Sequence, residues 1–387
     1  MAAPRAYLDH NAGAPLRETA RAAMLAALDA AGNASSVHGE GRAKRAAIDT
    51  ARGEIAALCG ARPDHVVFTS GASEAAATLL SPAYRMGRGP LRMSRLHVLA
   101  TDHPCILEGG RFAPEDVIRI GVDRSGLADL DALGAALAAH DNEAGLPLVA
   151  CHLANNETGV IQPVGEITAM VKQAGGFSVV DAVQGAGRLP LDIAALGADF
   201  LVLSSHKIGG PQGAGAIVAA SDLAMPAPLI RGGGQEKGHR AGTENVAAIA
   251  GFGAAAAAAR DDLADIAALE ALRDRFEAVL TEHFPDAVLI ARDTPRLANT
   301  MLFAIPGMKA ETAQIAFDLA GVALSAGSAC SSGKVGDSHV LAAMALGDLG
   351  SGLRISIGRE TGEAELALFE AACREIAGRR QGRNRAA

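Results

Sequence analysis

Short apolar runs that alternate with helix-forming stretches constrain this chain more than any other feature. Val66-Val67-Phe68-Thr69-Ser70 stops at Gly71 and passes into the helix formers of Ser73 to Leu80. The alternation continues with strands expected at Leu96–Ala100, Val117–Ile120, Leu148–His152, Phe177–Val180, Phe200–Ser204 and Ala214–Ala219, and helices at Leu127–Ala139 and Ile167–Ala174. Uniformly apolar strands are buried on both faces, and strands interleaved with helices build an α/β unit around a mainly parallel sheet. Upstream, Glu18–Ala30 and Arg42–Leu58 have helical composition. Beyond Thr243 the texture changes to a long helical run from Asn245 to Phe284. Strands at Asn299–Ala304 and Leu353–Ile357 follow, with helices at Glu311–Ala320, Val340–Leu346 and Glu363–Ala377, an α+β pattern. With 387 residues there is material for two cores. The expected division lies near Ala259: an arm (1–15) packing with the small domain, a large unit (16–259) and a small unit (260–387).

The formal net charge is -8, Trp is absent and aromatic residues make up 3%. That composition argues against general nucleic-acid binding, which calls for a basic groove and stacking rings. The first residues lack the apolar core of a signal peptide. The longest apolar stretch, Val246 to Ala259, is 14 residues of mostly Ala, too short to span a bilayer. Cys59, Cys105, Cys151, Cys330 and Cys373 are scattered without CxxC spacing, which reads as free thiols in a reducing compartment and no metal centre. The expectation is a soluble, cytoplasmic protein with no nucleic-acid or membrane partner.

Polar residues bunch where the expected strands end, the place where the crevice of an open parallel sheet receives ligands. Lys207, in LVLSSHKIGGPQG, is one of six lysines and follows a strand directly. It is either a solvated charge or an amine able to condense with a carbonyl. His206 beside it serves equally well as a structural residue at a strand end. Asp181 closes an apolar strand, where a carboxylate either caps the next turn or meets a protonated ring nitrogen. Gly71-Ala72-Ser73 at a strand-to-helix turn is a helix cap or a phosphate seat. A phosphate-type turn, a candidate Schiff-base lysine and an acidic partner for a ring nitrogen are together the three needs of pyridoxal 5'-phosphate.

The chain also resembles the cysteine desulfurases of the NifS/IscS type, in the class V aminotransferase group of fold type I pyridoxal-phosphate enzymes. The resemblance runs through YLDHNAGAP, GNASSVHGEGR, VVFTSGASEA, TDHPCIL, LANNETGVIQPV, DAVQGAGRLPLD, LSSHKIGGPQGAGA, RGGGQEKGHRAGTEN, SAGSACSSG and LRISIG. It implies a mainly parallel seven-stranded sheet in a large domain, a smaller α+β domain, and pyridoxal 5'-phosphate as cofactor. It further implies that Lys207 carries the cofactor, Asp181 meets its ring nitrogen, His103 stacks on its face and Gln184 bonds its phenolic oxygen. Asn155 would bridge cofactor and substrate. Ser73, Ser204 and His206 would hold the phosphate, completed by Thr243 of a second subunit in a homodimer. Arg354 would clamp the substrate carboxylate, with Asn11 also at the substrate.

Cys330 lies among Gly327, Ser328, Ser331, Ser332 and Gly333, a composition that suggests a polar loop over 325–339. The resemblance puts it on the thiol that accepts sulfur from L-cysteine, and the SACSSG form is similar to the class that delivers sulfur to a separate scaffold or carrier protein, as in iron-sulfur cluster assembly. The other cysteines read as small buried hydrophobes, Cys105 less clearly since it follows His103. The family pattern is broken at Asn11-Ala12-Gly13-Ala14, where an Asn-Ala-Thr-Thr run is usual, and at Ala75 to Ala77 after Ser73-Glu74. Rival activities are a selenocysteine or cysteine-sulfinate lyase and a small-acid transaminase on the same scaffold. A scaffold protein that has lost its chemistry is the rival from another class.

Overall fold

The computed structural model describes residues 4–326 and 337–386. The chain opens with a two-residue strand, Ala6–Tyr7 (β1), and two helices, Glu18–Asp29 (α1) and Gly39–Leu58 (α2). His38 caps α2, its Nδ1 accepting the Gly41 amide at 3.2 Å. Then come Val66–Thr69 (β2), Ala72–Leu79 (α3), the hairpin Ala83–Met86 (β3) and Gly89–Leu99 (β4), the single turn Pro104–Leu107 (α4), and Val117–Ile120 (β5). Leu130–Ala138 (α5), capped by the Asp129 carboxylate on the Ala132 amide, precedes Leu146–His152 (β6), Val164–Gln173 (α6) and Phe177–Asp181 (β7). Phe200–Ser204 (β8), Gly215–Ala219 (β9) and Ala224–Pro226 (β10) complete this half.

Seven of these strands form the body of the sheet in the order β5-β4-β6-β7-β8-β9-β2. β5 through β8 run parallel, while β9 is antiparallel to both β8 and β2. This is the mainly parallel seven-stranded sheet expected. A ribbon that the apolar pattern does not show extends it: β3 pairs with the front of β4, and β10 with β3, both antiparallel. β3 and the front of β4 carry Arg85, Arg88 and Arg92 with the turn between them and are largely exposed, and β10 is three residues long, so neither offers a buried run to read. β8 and β9, by contrast, are buried at every residue.

The Ala-rich segment becomes Val246–Asp261 (α7), capped by the Asn245 side chain on the Ala248 amide. It packs against α1 and α2 at a spacing only small residues permit: a Cβ on Gly253 would lie 2.5 Å from the Ala51 Cα. A short turn at Asp262–Asp265 separates α7 from Ile266–His283 (α8). Val288–Ile290 (β11), Thr300–Ala304 (β12), Ala310–Leu319 (α9), Val322–Ala323 (β13), Ser325–Ala326 (β14), His339–Ala343 (α10), Leu353–Ser356 (β15) and Glu363–Ala386 (α11) follow. β11, β12, β15 and β14 make an antiparallel sheet covered by α8, α9 and α11, with Phe276 and Phe317 against Phe369 at ring separations of 5.3 and 5.8 Å. β1 pairs in parallel with β13, so Ala6 and Leu8 of the N-terminal arm lie in this second apolar core. Among the described residues, no helix is long and apolar enough to cross a membrane.

Candidate active site

The polar residues that end the parallel strands converge, as the crevice argument requires. A cavity of about 490 Å³ opens where β2, β4, β6, β7 and β8 finish, and Ser73, His103, Asp181, Gln184, Ser204, His206 and Lys207 all stand on its wall. Each is delivered by a local device. Lys207 closes a single 3-10 turn, Ser205–Lys207, that continues β8. Ser73 lies in the first turn of α3, whose N-cap is Gly71. Gly215 lets β9 begin directly beneath that turn, because a Cβ there would sit 2.6 Å from the Gly71 Cα. The first-turn N–H groups of α3 with the Ser73 hydroxyl form an anion seat at the positive end of a helix.

Asp181 is 8% exposed, and its Oδ1 accepts the Val183 amide at 3.0 Å. Burial pushes its carboxyl above the usual carboxylate range; the Val183 amide and the nearby His103 and His152 pull the other way, and Asp102 adds to the rise. A desolvated carboxylate on a cavity wall favours a cationic hydrogen-bond donor, which a protonated pyridine nitrogen supplies. Burial, with Lys207 beside it, lowers His206 to about 4, so at neutral pH its ring is uncharged. The residues present therefore fit pyridoxal 5'-phosphate: an anion seat at one end, a buried carboxylate at the other, and a lysine in the same wall.

Lys207 Nζ donates to the main-chain carbonyls of Asn11 and, at 3.0 Å, Ala12, so the N-terminal arm lies directly against it. The Asn11 side chain itself is turned away into a buried network, its Nδ2 donating to Thr300 Oγ1 and its Oδ1 accepting from Asn299 Nδ2, each at 3.0 Å. Asn155 is likewise committed: Nδ2 donates to the Thr101 carbonyl at 2.9 Å while Oδ1 accepts the Glu157 and Thr158 amides at 2.9 and 3.0 Å. The cavity wall carries the next residue, Asn156, instead. Arg354, on β15 and 1% exposed, donates to the Asn156 carbonyl at 2.9 Å and pairs with Asp9 at 2.6 Å, leaving its buried Nε without a hydrogen-bond partner among the described residues. Thr243 is exposed and stands off the cavity. Cys330 lies outside the described residues, as does most of 325–339.

Asp102, Ser338 and His339 were not singled out from sequence; they do not line the cavity but bond residues around it. Asp102 is fully buried, accepting the Leu99 amide at 2.8 Å and both the amide and Nδ1 of His152 at 2.8 and 2.6 Å, which ties the end of β4 to the end of β6. His339 Nε2 reaches the Asp102 carbonyl at 3.0 Å, and Ser338 Oγ donates to the buried Glu157 at 2.7 Å. Cys105 shares the wall, its Sγ 3.1 Å from His103 Nδ1, the same nitrogen that accepts the Cys105 amide at 3.2 Å as α4's cap. For Asp102 and Cys105 the signal was the DHPC run, an acid and a thiol flanking the histidine.

The aminotransferase class-V family model matches residues 6–369. The chain belongs to that family. An IscS-like cysteine desulfurase of Mycobacterium tuberculosis is 38% identical over 373 residues, 93% of each chain. A cysteine desulfurase of Sinorhizobium fredii is 39% identical over 346 residues, 87% of each. Among solved structures, a NifS-like protein from Rickettsia africae superposes with a TM-score of 0.86 at 33% identity, covering 96% of this chain and 99% of that one. The family, the cavity and these likenesses agree on a pyridoxal-phosphate-dependent enzyme of the aminotransferase and desulfurase class.

Proposed function

We propose that this protein is an L-cysteine desulfurase, which takes the sulfur of L-cysteine onto an enzyme thiol and leaves L-alanine. The observation that carries the reading is the meeting of Lys207, Asp181, His103 and the α3 anion seat around one cavity, in a chain similar over nearly its whole length to cysteine desulfurases. Pyridoxal 5'-phosphate, when bound, supplies an electrophilic carbonyl carbon and an electron-withdrawing ring. Lys207 Nζ would be the group that holds it and, as a free amine, the base that would move the α-proton of the substrate. Asp181 would keep the ring nitrogen protonated, His103 would stack against the ring, and Gln184 would donate a hydrogen bond to the ring's oxygen. Ser73, Ser204, His206 and the α3 amides would hold the phosphate, joined by Thr243 of a second copy. The exposure of Thr243 supports that assignment, because it leaves the hydroxyl open to another subunit.

Arg354 is the carboxylate clamp: its guanidinium is desolvated and its Nε is left over. Given the turn that occupies Asn155, the amide on the cavity side is that of Asn156, and Asn11 acts through its carbonyl beside Lys207 rather than through its side chain. The thiolate of Cys330 attacks the substrate sulfur, forming an S–S bond as the C–S bond breaks. The strand that leads toward it, β14, pairs Ser325 with Arg354, so the chain departs beside the clamp. A sulfur-acceptor or iron-sulfur scaffold protein would then take the persulfide sulfur, in the cytoplasm. In domain terms, residues 16–259 bind the cofactor and 260–387 contribute the clamp and the thiol.

The test uses two variants. Lys207→Ala should lose the borohydride-stable cofactor label. Cys330→Ser should remain yellow and bind L-cysteine yet release almost no alanine, since a serine hydroxyl is not ionised near neutral pH. A label on another lysine, or wild-type desulfuration by Cys330→Ser, would overturn the reading in favour of a lyase that uses no enzyme thiol.

A further inference from the structure

Arg188 is buried four residues beyond Gln184, and among the described residues it has no carboxylate within ion-pair distance. Among the described residues its guanidinium donates only to neutral oxygens: Gln184 Oε1 at 2.6 Å, the Gln184 carbonyl at 3.0 Å and the Lys207 carbonyl at 3.4 Å. Burial first, and the nearby Arg354 second, lower its pKa to about 10, so it stays charged at neutral pH at a real desolvation cost. A cation kept in such a place needs a task. It does not line the 490 Å³ cavity of Asp181 and Gln184; it lines another of about 260 Å³ beside the turn of Arg359 and Glu360, and Lys207 stands on the walls of both. Any effect it has on the first cavity therefore passes through a neighbour.

We propose that Arg188 is a positioning residue that fixes which end of the Gln184 amide faces the cofactor. A guanidinium can only donate, so the atom 2.6 Å from it must be the amide oxygen. On the opposite side Gln184 Nε2 meets the Asn11 carbonyl at 3.0 Å, which can only accept. Both neighbours demand the same orientation, leaving the second N–H of Nε2 as a donor on the cavity side. Without Arg188 only the Asn11 carbonyl still holds the amide, and wherever the amide turns its oxygen opposes a negatively polarised ring oxygen. This rests on the reading that Gln184 faces the cofactor.

The experiment measures binding of pyridoxal 5'-phosphate to full-length protein, by fluorescence and by the visible band, with urea unfolding in parallel. Arg188→Met should weaken binding roughly tenfold, the loss of one hydrogen bond to a charged acceptor. It should also shift the band, with a urea midpoint equal to or above wild type, because a buried cation lacking a carboxylate has been replaced by an apolar chain of similar length. Gln184→Leu should weaken binding alike, and the double variant no further than either single one. Arg188→Lys, which retains one donor for Oε1, should recover binding to within about twofold of wild type. Losses that add in the double variant, or wild-type binding by Arg188→Met beside a weakened Gln184→Leu, would overturn the inference. Wild-type binding by Gln184→Leu would instead show that Gln184 does not face the cofactor, removing the premise as well.

Discussion

Gly358, in the LRISIG motif, has His10 of the YLDHNAG motif packed where its side chain would be. A Cβ on Gly358 would lie 2.1 Å from His10 Nδ1 and 2.3 Å from Cε1, so Gly358→Ala obliges the ring to retreat about 1.3 Å to regain ordinary contact. It cannot do so cheaply. The ring is buried and uncharged, burial having lowered its pKa to about 4, and it leans on Tyr7 at a ring separation of 5.3 Å. Its own amide donates to the Ser356 carbonyl at 3.1 Å, and the Asn11 amide to Ser356 Oγ at 2.9 Å. Overpacking of this kind costs about 1–3 kcal/mol. Moving His10 also disturbs the Asn11 and Ala12 carbonyls against Lys207, so cofactor capture should slow as stability falls. The assay is urea unfolding of the cofactor-free protein, with the midpoint shift converted through the slope. Gly53→Ala is the control. That glycine sits inside α2 with nothing within 4 Å of a built Cβ, and the change should stabilise by about 0.5–1 kcal/mol. If Gly358→Ala matches that control in stability and captures cofactor at the wild-type rate, the packing argument and the coupling of arm to lysine are both wrong.

Asp181→Asn should separate stability from function. Because burial raises the Asp181 pKa in the folded state, its favourable contribution is complete below the unfolded value of about 3.9 and is lost as pH rises through the folded value. At neutral pH the cofactor-free Asn variant should thus unfold at equal or higher urea than wild type, with a flatter dependence on pH, while its cofactor affinity falls; lower stability at neutral pH would contradict the sign. Burial pushes the Cys59 thiol up to about 12 and raises Cys151 and Cys373 as well, so iodoacetamide mapping near neutral pH should leave all three unlabelled until urea unfolds the chain. Labelling of any one in the native protein would show that its burial is not maintained.

The strands that bear the site were legible because each is buried on both faces, and a run such as Phe200–Ser204 needs no partner to be recognised. The same logic found where they stop, and hence the wall formed by Ser73, Asp181, Ser204 and Lys207, while His103 entered only through the family resemblance. The β3–β10 ribbon escaped because β3 is short, charged and largely exposed and β10 is only three residues, and β1 with β13 because a two-residue strand has no period.

Sequence by itself determined the α/β class, the strand ends and the family, since hydrophobic runs and motif order are properties of local windows. Only the tertiary structure decided that Asn156 rather than Asn155 lines the cavity, that Asn11 presents a carbonyl to Lys207, and that Arg188 donates to the Gln184 amide oxygen. Those outcomes depend on acceptors and donors far away in the chain, such as Thr300 for Asn11, or on the direction of a side chain within a turn. Hydrogen-bond geometry is settled when distant elements dock, and no local pattern of residue types carries that information.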